Sequence, residues 1–184
     1  SRGGRREVWV LKMDIRKFFD SVDHCKLITI LNHSLPASAR LRQLLAEIIS
    51  SYSSSPGRGI PMGNLTSQLF SNVYLNPLDQ FAKRHLRLSY YLRYADDLIV
   101  LDNQRAELEP ICVEIGRYLE TKLALELHPH KITIRPWQQG IDVLGFVSCP
   151  RATKLRPNTA RRMFQRLLPH LYSSTLLLET HFSA

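Results

Sequence analysis

Apolar and polar positions along the chain alternate between strand-like and helix-like patterns, and several of the strand-like ones end in an acid. Val8-Trp-Val-Leu-Lys-Met13 is an apolar run with one polar interruption, closed by Asp14. After Arg16-Lys-Phe-Phe19, Asp20 or Ser21 is a plausible helix cap, and Leu27, Ile28, Leu31 and Leu35 keep a helical period up to Pro36. A second helix is predicted over about 38–50, with Leu41, Leu44, Leu45, Ile48 and Ile49 on its apolar face. Residues 50–59 are polar, carry Pro56, Gly57 and Gly59, and read as a loop. The next helix opens at Gly63 and Asn64, the latter a reasonable cap, and has Leu65, Leu69, Val73, Leu78, Phe81, Ala82 and Leu86 on one face. Pro77 should kink or break it, with Asn76 as a possible new cap.

Residues 90–94 and 98–101 are rich in aromatic and β-branched side chains and predict a hairpin whose turn is Ala95-Asp96-Asp97. Four consecutive apolar residues, 98–101, imply a second strand buried on both faces. A helix is expected over 106–123, and short strands over 125–127 and 131–134 around His128-Pro-His130, the two histidines exposed. Residues 141–147 form an apolar strand pair with a glycine inside. Residues 158–172 make a basic helix in which Arg161, Arg162 and Arg166 oppose Met163, Leu167 and Leu168. The tail, 173–184, reads as frayed or dependent on further chain. The order of elements argues for an α+β domain, helices against an antiparallel sheet.

Composition changes this picture in one respect. With 44% hydrophobic and 22% charged residues, 184 residues suffice for one domain with a real core. The formal charge of +9 and pI near 9.8 point to a polyanionic partner, and gain weight beside a retained acidic cluster. Cys25, Cys112 and Cys149 have neither metal-ligand spacing nor a disulfide framework, which fits a reducing cytoplasm. No signal-peptide pattern or apolar run near 18 residues predicts a membrane. The absence of an initiator Met, with a basic lead-in running straight into a core strand, suggests a piece of a larger polypeptide.

Asp is a favoured turn residue, so Asp96-Asp97 alone reads most simply as a solvated turn. The third acid, Asp14, ends a strand of the same kind, and two such strands can be neighbours that gather three carboxylates at one point. Acids so placed repel one another unless a cation joins them. Oxygen ligands favour a hard ion such as Mg²⁺, and two ions about 3.5–4 Å apart can activate a hydroxyl and stabilise a leaving oxygen in phosphoryl transfer.

Met13-Asp-Ile-Arg-Lys-Phe-Phe-Asp-Ser-Val-Asp-His24 followed by Tyr94-Ala-Asp-Asp97 resembles the palm of a reverse transcriptase, and the likeness extends over nearly the whole chain. It implies a ferredoxin-like polymerase palm over 1–150 with part of the fingers, a helical insertion over about 24–58, and the start of a thumb over 151–184. An N-terminal fingers segment would precede this stretch. The implied activity is RNA-directed DNA synthesis: deoxynucleotide addition to a DNA or RNA primer on an RNA template, with two Mg²⁺ ions, or Mn²⁺ in their place. Asp14, Asp96 and Asp97, with the Ile15 carbonyl, would be the metal ligands. Arg16, Lys17 and Phe18 would offer amides to the triphosphate. Phe19 would lie beneath the sugar and exclude a 2′-hydroxyl, unless Phe18 takes that place or both rings are core. Met62, Gly63 and Gln68 would face the incoming nucleotide. Lys131 would protonate the leaving pyrophosphate, or else be a surface lysine. Leu144-Gly145-Phe146 would form the primer grip, and Arg161, Arg162 and Arg166 would hold nucleic-acid backbone.

Met62 and Gln68 stand where group II intron and retroviral-type enzymes usually carry Gln and Pro, and with these departures the chain is similar to reverse transcriptases of diversity-generating retroelements. Such enzymes copy an RNA with errors at adenines beside a small basic accessory protein. A retron or group II intron enzyme is the alternative. A catalytically silent nucleic-acid-binding palm is opposed by the three intact aspartates, and a nucleotide cyclase by the lack of a glycine-rich acidic turn.

Overall fold

The computed structural model of the chain describes residues 7–34 and 38–179, the side chains of 169–179 excepted. The basic lead-in over 1–6, Leu35, Pro36 and the last five residues lie outside the described part. The chain divides into two compact units at Arg135–Pro136.

The first unit opens with β1 (Trp9–Asp14), then α1 (Phe18–Ser21), α2 (His24–Ser34), α3 (Ala39–Ser50) and α4 (Leu65–Gln80), which runs on into a π-helical turn at Phe81–His85. Next come the hairpin strands β2 (Tyr90–Tyr94) and β3 (Asp97–Asp102), α5 (Arg105–Tyr118) with a π turn at Leu119–Leu123, and β4 (Thr133–Pro136). The sheet order is β2-β3-β1-β4, with β1 antiparallel to β3 and β3 antiparallel to β2. Alternate residues of β1 (Leu11, Met13) join Leu98 and Val100 of β3 in a core shared with Leu27, Phe70, Tyr74, Leu78, Leu108 and Ile115 of the helices. Val10 and Ile99, pointing to the other face, are also buried, so the apolar run of β3 is indeed covered on both sides.

The helices carry the main corrections. Asp23 caps α2, its carboxylate accepting the Lys26 amide at 3.0 Å, rather than Asp20 or Ser21, which fall inside the short α1. Ser38 caps α3 through the Leu41 amide, but Leu41 and Leu44 are exposed, so only the Ile49 end of the predicted apolar face is sealed. In α4 the buried stripe is Phe70, Tyr74, Leu75 and Leu78, while Leu65 and Leu69 face outward. Both stripes have helical spacing, and packing of α4 against α2, Phe18 and the Leu119–Leu123 turn selects the one with the aromatic rings. Pro77 does not break α4: the helix continues through it, the ring removes a single amide donor, and the Pro77 carbonyl accepts the Tyr118 hydroxyl at 3.2 Å. Asn64 stands at the cap position without a side-chain cap bond. Residues 125–127 make only one bridge, Ile15 to Leu127, instead of a strand. His128 is half-buried rather than exposed.

The 50–59 loop is tied down across the start of α2. Gly59 and Ile60 donate to the carbonyls of Val22 and Phe19, each at 2.8 Å, and the His24 ring meets the Gly59 carbonyl at 2.7 Å. Tyr74, whose hydroxyl burial pushes up to about 12, donates to the Leu123 carbonyl at 2.5 Å.

The second unit is a three-stranded antiparallel sheet of β5 (Ile141–Val143), β6 (Phe146–Cys149) and β7 (Ala152–Leu155), followed by α6 (Pro157–Glu179). β7 was not anticipated: its residues are all exposed, so the strand carries no apolar alternation. The helix predicted over 158–172 reaches Glu179, so residues 173–179 are helical rather than frayed. No helix among the described residues is long and apolar enough to cross a membrane.

Candidate active site

The site grows from the register of one strand pair. Asp14, last residue of β1, is the cross-strand partner of Asp97, first residue of β3, and Asp96 occupies the turn just before it. Ala95 takes a left-handed backbone (φ 49), which makes the turn between β2 and β3 tight. The Ile15 amide donates to the Asp96 carbonyl at 3.2 Å, fixing the turn against the end of β1. Three acidic residues thus come to one end of the two inner strands of the sheet.

Two lysines temper them. Lys131 Nζ is 3.0 Å from Asp14 Oδ2 and Lys12 Nζ 3.2 Å from Asp97 Oδ1. Asp96 has the least favourable surroundings: burial above all raises its pKa over the ordinary carboxylate value, with smaller contributions from the charges of Asp14 and Asp97, while a hydrogen bond from its own backbone amide and, less, Lys131 pull the other way. Among the described residues no three His, Cys, Asp or Glu side chains are grouped so as to hold a metal ion as they stand. The chemistry of the donor set nevertheless suits a hard divalent cation, since the cluster is all oxygen and holds more negative charge than its two lysines offset.

Beside the acids lies a cavity of about 330 Å³ lined by Asp14, Ile15, Lys17, Phe18, Phe19, Asp20, Met62, Asp96, His128 and Lys131. Eight of the residues singled out from sequence therefore meet at one place. Phe18 is buried in the core, in edge contact with Phe19 and tilted against Tyr74, whereas Phe19 is half-buried and more open to the cavity. Lys17 is held in a left-handed conformation (φ 45) before α1. The Arg16 amide is already engaged by the Glu126 carbonyl at 2.8 Å, and its guanidinium pairs with the Glu126 carboxylate, so this residue's amide is not free for a triphosphate.

Met62 is three-quarters exposed, while Gly63 and Gln68 are exposed without lining the cavity. At Gly63 φ is 92 and a Cβ would meet nothing within 4 Å, so conformation rather than crowding calls for glycine. In the second unit Leu144 and Gly145 (φ 54 and 81) form the two-residue turn between β5 and β6, Val143 facing Phe146. A Cβ on Gly145 would lie 3.2 Å from Thr159 Oγ1, and the Gly145 carbonyl accepts the Arg156 amide at 2.8 Å. Arg161, Arg162 and Arg166 are exposed on α6.

Sequence reasoning missed Lys12, Asp20 and His128 at the site, and Asp79, Tyr91 and Arg93 behind it. Lys12 could have been found as the one polar residue of an apolar strand, two positions before the acid. Asp79 and Arg93 lie 14 residues apart and carry no local signal.

An antiparallel sheet backed by helices, with acids at a hairpin tip opposite a strand-end aspartate, defines a nucleic-acid polymerase palm. Residues 2–148 match the reverse transcriptase (RNA-dependent DNA polymerase) family, and the chain belongs to that family. Protein YkfC of Escherichia coli (strain K12) is 28% identical over 181 residues, covering 78% of this chain and 47% of its own. The group II intron-encoded protein LtrA of Lactococcus lactis subsp. cremoris is 31% identical over 86 residues, 43% of this chain and 14% of LtrA. The chain thus spans about half the length of YkfC and less of LtrA. Among solved structures, an apo telomerase from Candida tropicalis truncated from its C-terminal domain shares the fold, with a TM-score of 0.62 at 13% identity over 81% of this chain and 35% of that one.

Proposed function

We propose that the protein containing this chain is an RNA-directed DNA polymerase that adds deoxynucleotides to a primer 3′ end on an RNA template. The observation that carries this reading is the meeting of Asp14, Asp96 and Asp97 at one sheet end, beside a cavity lined by Phe19, Met62 and Lys131. Asp14, Asp96 and Asp97, with the Ile15 carbonyl, would hold two Mg²⁺ ions, or Mn²⁺ in their place. When bound, such ions make the primer hydroxyl a better nucleophile and offset charge on the departing pyrophosphate. Phe19, half-buried beside the cavity, would lie beneath the sugar and select against a 2′-hydroxyl. Lys131, half exposed and already paired with Asp14, can turn from that carboxylate to give a proton to the leaving group. The Leu144–Phe146 turn steadies the primer end, and Arg161, Arg162 and Arg166 bind phosphates as the start of a thumb over 151–184. Deoxynucleoside triphosphates, RNA template and DNA or RNA primer are the partners, in the cytoplasm.

The test is primer extension on a defined RNA template by the full-length protein with Mg²⁺. Wild type is expected to extend and Asp14→Asn to lose at least about a thousandfold, the loss of several kcal/mol of transition-state stabilisation. Extension unchanged in Asp14→Asn overturns the reading. Phe19→Ala should raise ribonucleotide insertion about tenfold or more, as removal of a steric gate does.

Within this class Met62 supports an error-prone enzyme of a diversity-generating retroelement, working with a small basic accessory protein. Met has no amide to steady the nascent pair, and Met62→Gln should lower misincorporation opposite template adenine about fivefold, the worth of one net hydrogen bond. An unchanged adenine error rate in sequenced cDNA removes that refinement. The stretch shared with LtrA favours the second reading, a group II intron-type enzyme.

A further inference from the structure

Behind the acidic turn, Arg93 of β2 makes more hydrogen bonds than any side chain of the site itself. Its Nε lies 2.9 and 3.1 Å from the two carboxylate oxygens of Asp79, and its Nη2 is 2.7 Å from Oδ2. The remaining donor, Nη1, divides between Asn72 Oδ1 at 3.2 Å and the Ala95 carbonyl at 3.3 Å. Asp79 is held in turn by the Tyr91 hydroxyl at 2.8 Å. The Arg93 side chain is only 9% exposed.

Asn72 and Asp79 belong to α4, Arg93 and Tyr91 to β2, and Ala95 to the turn. One guanidinium therefore joins a helix, a strand and the residue directly before Asp96. Ala95 is left-handed, a conformation that is strained for a non-glycine residue and needs neighbours to hold it. α4 also continues from the loop that carries Met62, and Met62 lines the same cavity as Asp96. The two walls of the cavity thus hang from elements that Arg93 ties together.

We infer that Arg93, oriented by Asp79 and Asn72, is a positioning residue that holds the Ala95–Asp97 turn against α4 and so places Asp96 opposite Asp14. The inference rests on the polymerase reading for its consequence in catalysis, but not for the geometry it asserts. Lysine cannot substitute: an ammonium can keep the charge pair with Asp79, yet it lacks the planar fork that reaches Ala95 at the same time. The arrangement also neutralises Asp79 within the ion pair, so that a fourth carboxylate behind the turn adds no charge to the cluster in front of it.

The test compares Arg93→Lys and Asn72→Ala with wild type in the full-length protein. Hydrogen exchange is followed at the Ile15 amide, which donates to the Asp96 carbonyl, and at Leu11 in the middle of β1. Mn²⁺ binding by electron paramagnetic resonance without nucleotide, and primer extension, complete the set. Arg93→Lys is expected to speed Ile15 exchange roughly fivefold, the size of one net hydrogen bond, to weaken Mn²⁺ binding and slow extension, and to leave Leu11 unchanged. Asn72→Ala should do the same to a smaller degree. Unchanged Ile15 exchange in Arg93→Lys overturns the inference, as does equal acceleration at Leu11, which would mark general loosening. If wild type extends no primer while Ile15 exchange still responds to Arg93→Lys, the polymerase reading fails and the positioning role stands.

Discussion

Asp79 and Asp96 lie on two sides of the same hairpin, and the fold treats their charges in opposite ways. Asp79 accepts from Nε and Nη2 of Arg93 and from the Tyr91 hydroxyl, so its oxygens are well occupied. Burial opposes the Arg93 charge, yet the hydrogen bonds and charge of Asp79 outweigh it and raise the arginine's pKa. Burial, then the Asp79 charge, push the Tyr91 hydroxyl well above its ordinary value. Asp96 has the reverse surroundings, with desolvation first and two neighbouring carboxylates after it against its charged form, and only its own backbone amide and Lys131 in favour. A carboxylate satisfied by an arginine within the chain is a fastener. One left in repulsion at a cavity wall has unused capacity to bind a cation, and keeps it at some expense to the fold.

Substitutions should separate the two roles, beginning with the largest effect. On the proposed polymerase reading, Asp96→Asn in the full-length protein should lower primer extension by at least about a thousandfold, as removal of a metal-binding carboxylate would. Its melting temperature without metal should hold or rise, because a neutral amide ends the repulsion with Asp14 and Asp97. A clear fall in melting temperature would make Asp96 a fastener too and erase the contrast.

Asp79→Ala should do the opposite. It leaves the Arg93 guanidinium without its main counter-charge, at a cost of about 2–3 kcal/mol in denaturant unfolding. Extension should fall far less than in Asp96→Asn. An unfolding free energy equal to wild type would show that the ion pair contributes nothing beyond its desolvation.

Tyr91→Phe should have the smallest effect, about 1.5 kcal/mol, from the loss of one hydrogen bond to a charged acceptor. Because Arg93 still grips Asp79, Mn²⁺ affinity should stay at the wild-type value. Weaker Mn²⁺ binding in this variant would mean that Asp79 needs both partners to orient Arg93.

Much of the acidic centre was legible from local pattern. The apolar run ending at Asp14, and the hairpin signal around Ala95-Asp96-Asp97, each named an acid at a strand end, and backbone periodicity of two residues then sets which way each side chain turns. The glycine turn at Gly63 was visible for the same reason, since positive φ is a property of single residues. Helix faces were less legible. On α4 the predicted face held at Leu78 and Ala82, which are buried, but only contact with α2 and the Leu119–Leu123 turn chose Phe70 and Tyr74 over Leu65 and Leu69.

The sequence by itself determined the end of β1 at Asp14, the hairpin turn at Ala95–Asp97 and the set of acids, because these depend on neighbours within a few residues. Tertiary structure alone decided that Asp14 faces Asp97, that Lys12 and Lys131 pair with them, and that Arg93 reaches from Asp79 to Ala95. Register between β1 and β3 spans more than 80 residues of chain, and burial of Leu11, Met13, Leu98 and Val100 on one face fixes it; a slip of one position would turn those four residues out of the core and the acids away from one another.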